Sequence, residues 1–215
     1  MSLIDTFFNP DVIMSSLPAL LGILSIGIGI PIGLAISLVR LYAPKPLRWL
    51  AVGYTDIFRA LPVLVVLILI YYALPFLGIR LSSWASAVTA FAFIMSAYSA
   101  EVFRSGIESI PRGQFEASQA LGLPFLLTLR KVVLPQAIRV VIPPMTSNCV
   151  SMFKDTSLAS TVALPELLKE ATNAQSLYAN PSPLIGAALV YLIFLWPMVR
   201  LVSLLEERFK TEKKR

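Results

Sequence analysis

Histidine is absent from this sequence and cysteine occurs once. The first absence removes the side chain that titrates near neutral pH and the commonest nitrogen ligand of transition metals. The second leaves no internal disulfide and no cysteine cage for a metal. Cys149 is therefore read as a small apolar packing residue. No glycine is followed by lysine, so the phosphate-cradling loop of nucleotide hydrolases is missing and the chain does not hydrolyse ATP by itself. Charge is scarce too. Only 14% of the 215 residues are Asp, Glu, Lys or Arg, against 57% hydrophobic, where a soluble domain carries roughly a quarter charged. With a mean hydropathy of +0.77, the composition is that of a membrane protein.

The opening "MSLIDTFFNPDVIMSS" contains Asp5 and Asp11 but no Lys or Arg, so it lacks the basic region of a cleavable signal. The net charge of +6 does not point to nucleic acid. The basic residues fall in loops between apolar runs, with no single patch of interleaved bases and aromatics, which is the pattern of membrane orientation.

No charge lies between Asp11 and Arg40, between Arg59 and Arg80, between Arg80 and Glu101, or between Glu170 and Arg200. Each gap holds the roughly 20 residues that cross a bilayer as helix. The pattern predicts five spans, near residues 17–41, 57–76, 84–103, 137–153 and 184–205. The positive-inside bias then places the C-terminus in the cytoplasm, with Arg40, Lys45, Arg48 and the bases from Arg104 to Arg139, and the N-terminus outside.

Within the first span, Ser25, Gly29, Gly33 and Ser37 recur at every fourth position, a small-residue stripe that lets another helix approach closely, in this chain or in another subunit. Pro31 is expected to kink that helix. The fourth span is short. Fourteen uncharged residues separate Arg139 from Lys154, about 21 Å of helix against a hydrocarbon layer about 30 Å thick. That shortfall puts Lys154, Asp155, Thr156 and Ser157 at membrane depth, where charges pair or face a wet cavity and become candidates for the transport pathway. The alternative is a span tilted outward, with Asp155 or Thr156 capping the next helix at the outer surface. "LASTVALPELL", Leu158 to Leu168, is too short to span and reads as a short or re-entrant helix. Tyr98 and Glu101 on the third span are further pathway candidates, although Glu101 stands three residues before Arg104 and an intrahelical ion pair is its simpler reading.

Between the third and fourth spans lies "FEASQALGLPFLLTLRKVVLP", Phe115 to Pro135. Helix formers run to Leu121, Gly122 suits a left-handed stop, and Pro124 suits the first turn of a second helix that ends near Val133. The expected helix–turn–helix could insert into a cleft of a soluble partner.

Glu116-Ala117-Ser118, then Gly122, then Val132-Val133-Leu134-Pro135 resembles the cytoplasmic coupling signature of ATP-driven import permeases, with Ser118 and Val132 departing from it by small volumes. "FRALPVLVVLILIYYALP", "AYSAEVFRSGIESIPRGQFEA", "LPQAIRVVIPPMTSN" and "KDTSLASTVALPELL" are similar to the polar amino-acid uptake permeases. The likeness covers nearly everything from Phe58 onward. It departs at the first span, where Leu20-Leu21 runs almost directly into "GILSIGIGIPIG".

The resemblance implies an all-α membrane protein of the type I ABC importer permease fold. Residues 1–215 would form one permease domain and 111–135 its coupling loop, in the bacterial cytoplasmic membrane. It further implies a second permease chain, identical or homologous, two ATP-binding-cassette ATPase subunits, an external substrate-binding protein and a polar amino acid as cargo. Membrane lipid surrounds the chain, and no cofactor, metal or nucleic acid is implied. Glu116, Ala117, Ser118, Gly122, Leu134 and Pro135 would carry the coupling. Two rival readings remain: half of an ion-coupled carrier or channel, whose midmembrane charges and broken helices would look alike, and a membrane scaffold that moves nothing.

Overall fold

The computed structural model describes residues 19–162, 164 and 167–212. The opening segment with Asp5 and Asp11, the start of the first expected span, residues 163, 165 and 166, and the last three residues of the tail lie outside the described residues.

Helix α1, Ala19–Tyr42, is apolar nearly all round and contains Pro31. Only its small face is covered. Ser25, Gly29, Gly33 and Ser37 are all buried while Ile23, Leu24, Ile28 and Ile32 are exposed. Its neighbour is the 26-residue helix Ser83–Glu108. A β-carbon on Gly29 would lie 2.7 Å from Met95 Cβ, and one on Gly33 would lie 2.5 Å from Ser99 Cβ. The stripe therefore serves packing within the chain, where glycine lets two backbones close without a large side chain between them.

Helix α2, Lys45–Ala60, follows α1 after a short turn, and α3, Val63–Ile68, follows α2. The expected single span over 57–76 is a correction. Residues 57–60 belong to α2, and the chain bends by 107° at Leu61–Pro62 before α3 begins. The cause is local. Leu61 adopts φ −80° and ψ 135°, the extended region forced on a residue that precedes proline.

Helix α4, Ser83–Glu108, is the centre of the bundle. Ser82 Oγ caps its start by accepting the Ala85 N–H at 3.2 Å. Ala87, Ala90, Phe91, Ile94, Met95, Ala97 and Ala100 are buried along it, and it contacts α1, α2, α3 and the later helix Leu134–Asp155. Small residues again set the approach: a β-carbon on Gly106 would meet Val141 Cγ2 at 2.3 Å.

Helices α5, Arg112–Ala120, and α6, Phe125–Thr128, form the expected helix–turn–helix. The second arm, however, does not stop at Val133. It passes through a π-turn at Leu129–Val133 directly into α7, Leu134–Asp155, so Pro135 and Arg139 lie within a continuous helical path. α3 also widens into a π-turn, at Leu69–Ala73, but there it leads only into a 3-10 turn, Leu74–Leu77, that stops at Gly78. In both places a Leu-Pro pair follows: the Leu74 N–H reaches Leu69 O, and the Leu134 N–H reaches Leu129 O, five residues back. Proline has no N–H and its ring crowds the carbonyl four residues earlier. Widening the preceding turn to five residues relieves the clash without ending the helix.

α7 has 22 residues, about 33 Å of helix, long enough for the hydrocarbon layer, but the expected fourth span over 137–153 is not among the helices that are also apolar enough to cross a membrane. The shortfall inferred from charge spacing arose because Arg139 is part of the helix. Thr156 closes α7 as its C-cap and is also the first residue of the 3-10 turn that follows, and its hydroxyl points back to Phe153 O instead of capping that turn. A 3-10 turn, Thr156–Val162, and the separate helix α8, Leu167–Tyr178, replace the single short helix expected over Leu158 to Leu168. α9, Ser182–Glu212, packs against α7 and α8 and leaves one long apolar side bare. Among the described residues, three helices are long and apolar enough to cross a membrane, α1, α4 and α9, and the bent pair α2–α3 is a fourth candidate.

Candidate functional site

The turn after α5 is closed by three backbone hydrogen bonds. The Leu121 N–H reaches Ala117 O at 3.1 Å, Gly122 N–H reaches Gln119 O at 2.9 Å, and Leu123 N–H reaches Ser118 O at 3.0 Å. With Gly122 at φ +72°, the last two bonds form a Schellman motif, which satisfies carbonyls a helix end would leave unpaired. Glu116, Ala117 and Gly122 face outward, and a β-carbon on Gly122 would touch nothing within 4 Å. Backbone conformation, not crowding, therefore favours glycine there. Ser118 is buried and donates its hydroxyl to Gln114 O at 2.7 Å. Leu121 and Leu126 are 78% and 74% exposed, a pair of large apolar side chains at the tip of the turn.

Beneath the turn sits a distinct apolar cluster. Ile107 from the end of α4, Ile110 just after it, Leu129 and Val133 from the π-turn, and Ala137 from α7 are buried together, with Leu38 and Leu41 of α1, Phe115 of α5 and Leu134 packed on them. The residues expected to carry coupling thus divide: Glu116, Ala117 and Gly122 present a surface, whereas Ser118 and Leu134 join that surface to the bundle. Pro135 is exposed and shapes the helix above the π-turn.

The pathway candidates divide as well. Tyr98 and Asp155 meet in a cavity of about 180 Å³ lined also by Asn148, Ser151, Val63 and Met152. Asn148 and Ser151 were not singled out by the sequence; both lie on α7 within one or two turns of Asp155, the helical spacing that could have indicated them. Lys154 and Ser157 line a different cavity of about 500 Å³, against Leu168, Leu184, Ala187 and Tyr191. Consecutive residues on a helix diverge by about 100°, and that step sends Lys154 away from Asp155. Thr156 is buried and donates its hydroxyl to Phe153 O at 2.7 Å.

Glu101 joins neither cavity's lining. Its carboxylate accepts from Arg40 Nη1 at 2.9 Å and lies 3.5 Å from Arg59 Nη1. Arg104 donates to it from the next turn of α4 and also pairs with Glu108. Arg40 Nη1 donates in addition to Thr55 Oγ1 at 2.9 Å. One carboxylate thereby ties the ends of α1 and α4 to α2. The ion pair with Arg104 was legible from spacing; Arg40, Thr55 and Arg59 were not.

Comparison with known proteins agrees with this architecture. The family of binding-protein-dependent transport system inner membrane components matches residues 27–211. The chain is 38% identical over 188 residues to the L-cystine transport system permease protein TcyB of Bacillus subtilis (strain 168), covering 86% of this chain and 79% of TcyB. It is 37% identical over 176 residues to the probable amino-acid ABC transporter permease protein YckA of the same organism, covering 78% of each. Among solved structures, an amino acid ABC transporter with histidines superposes with a TM-score of 0.85 at 30% identity, over 97% of this chain and 99% of that one. The MetNI methionine ABC transporter in an inward-facing conformation shares the fold, with a TM-score of 0.74 at 20% identity over 95% of this chain and 99% of that one. A bundle built on α4, a glycine-closed turn hung beneath it and a likeness spanning most of the sequence lead to one conclusion: this chain belongs to the binding-protein-dependent transport system inner membrane components.

Proposed function

We propose that the chain is the membrane-spanning permease subunit of an ATP-driven importer of polar amino acids, forming half of the path with a second permease chain. The Schellman-closed turn at Gly122 carries this reading. It is a rigid, surface-facing knuckle with an apolar tip, footed on a cluster that draws from α1, α4, α5 and α7 at once. Force applied at such a point by ATPase subunits closing on nucleotide reaches several spans together, and packed helices respond by shifting between discrete arrangements. The 1–215 stretch acts as one permease unit, with 111–135 as its cytoplasmic coupling loop. That assignment puts the N-terminus outside and the C-terminus in the cytoplasm.

The cavity at Tyr98, Asn148, Ser151 and Asp155 is the proposed part of the path. A carboxylate there suits the ammonium group that every amino acid carries, and the amide and hydroxyls supply further hydrogen bonds. An external binding protein delivers the cargo, and hydrolysis belongs to the ATPase partner. Purifying the complex from its native membrane and identifying the subunits and solute that accompany it tests the assembly. Labelling that reaches Gly122 only from the exterior overturns it. Uptake that survives ATP depletion but stops with an ionophore favours an ion-coupled carrier instead.

A further inference from the structure

Helix α2 has one face accounted for and one that is not. Ala51 and Thr55 are buried, Tyr54 places its hydroxyl 2.6 Å from Ser96 Oγ, and Phe58 packs on Phe93 at 5.4 Å between ring centres. On the far side Trp49 is 75% and Leu50 72% exposed, Ile57 is exposed one turn or two further on, and a β-carbon on Gly53 between them would meet nothing within 4 Å. Beside that apolar edge run Lys45 and Arg48, both exposed, with Asp56 as the acidic group on the helix, while Arg59 faces Glu101 at 3.5 Å. The 107° bend to α3 turns α2 crosswise to the span that follows it. Arg40 and Glu101 hold it at the ends of α1 and α4, and the edge-on contact of Tyr42 with Phe125 at 4.9 Å puts the coupling turn at that same end of the bundle.

We propose that α2 is a binding surface for anionic phospholipid, with Trp49, Leu50 and Ile57 in the acyl region and Lys45 and Arg48 on the headgroup phosphates. A helix lying crosswise to a span, basic along one edge and aromatic-aliphatic along the next, is built to rest at the boundary between headgroups and chains. Tryptophan is favoured at that depth because its ring is apolar and its N–H is not. The charge pattern selects among occupants. A second copy of the chain docked edge to edge would bring the same two bases to face themselves, whereas phosphates neutralise them. Because α2 is tied through Glu101 to α1 and α4, lipid held on it also steadies the frame from which the coupling turn hangs.

The test uses the full chain in lipid nanodiscs, with Trp84→Phe and Trp196→Phe so that Trp49 is the fluorophore. Brominated phosphatidylglycerol is compared with brominated phosphatidylcholine at equal mole fraction. Phosphatidylglycerol is expected to quench Trp49 more strongly, and Lys45→Gln/Arg48→Gln to bring it to the phosphatidylcholine level, with a loss of about fivefold in lipid affinity per base removed. Equal quenching by both lipids before the bases are removed overturns the headgroup assignment. Absence of quenching by either overturns the lipid assignment altogether and means that protein, such as a second copy, covers the edge. Lipid copurifying with the otherwise unaltered chain gives an independent reading: phosphatidylglycerol retained equally by the parent and by Lys45→Gln/Arg48→Gln rejects the proposal.

Discussion

Gly33 of α1 and Ser99 of α4 approach so closely that a β-carbon on the glycine would lie 2.5 Å from Ser99 Cβ and 2.7 Å from Ser96 O. The second of these is backbone, which cannot swing aside. Contact of this kind fixes the separation of α1 and α4, and through them the ends that hold the arginine cluster and the turn at Gly122.

Gly33→Val is therefore expected to force α1 off α4 and to cost about 1–3 kcal/mol, the range for overpacking a close contact. Gly27→Val is the control, since a β-carbon on Gly27 meets nothing within 4 Å. Thermal unfolding of the full chain in detergent should show a lowered midpoint for the first and little change for the second. Similar midpoints would show that α1 can stand away from α4 without penalty.

Glu101→Gln leaves three guanidiniums facing one another with a neutral amide between them. A hydrogen bond to a charged group contributes about 1.5–3 kcal/mol, and the Arg40 bond is 2.9 Å long with its side chain only 13% exposed. Arg59 is 39% exposed at 3.5 Å, a geometry typical of pairs that contribute little. Double-mutant cycles on unfolding should give a clearly larger coupling for Glu101 with Arg40 than with Arg59; the reverse order would mean that the cluster is organised around α2 and not around α1.

At the turn, Gly122→Val should reach the membrane in normal amount yet lose coupled uptake, because a β-branched residue resists φ +72°. Gly122→Asn, which tolerates the left-handed region, should keep most of it. Transport assays beside a count of inserted protein separate the two. Full uptake with valine removes the turn from the coupling route.

Asp155→Asn should weaken uptake most at limiting amino acid, where binding governs the rate, while Lys154→Gln, facing the other cavity, stays near the parent. If Lys154→Gln is the more damaging of the two in a concentration series, the path runs on the opposite side of α7 from the one proposed.

Much of the helix–turn–helix around Gly122 was readable in advance because it rests on neighbours in sequence. A glycine that can take positive φ, good helix formers before it and a proline shortly after it are enough to set a Schellman turn. The same holds for the apolar spans, whose signal is a sum over consecutive residues. Where one proline acts on its own carbonyls the outcome was only partly readable: Pro62 breaks the chain into α2 and α3, whereas Pro75 and Pro135 are absorbed by π-turns. All three remove an N–H.

From its residues alone, the chain was bound to be a helical membrane protein with a glycine-hinged knuckle, since hydropathy and turn chemistry act over a few neighbouring positions. Folding in three dimensions decided the rest: that the small stripe of α1 closes on α4, that Glu101 collects Arg40 from 61 positions away, and that Lys154 and Asp155 look into separate cavities. Those outcomes depend on how whole helices rotate and cross, and a helix takes its rotation from every surface packed against it.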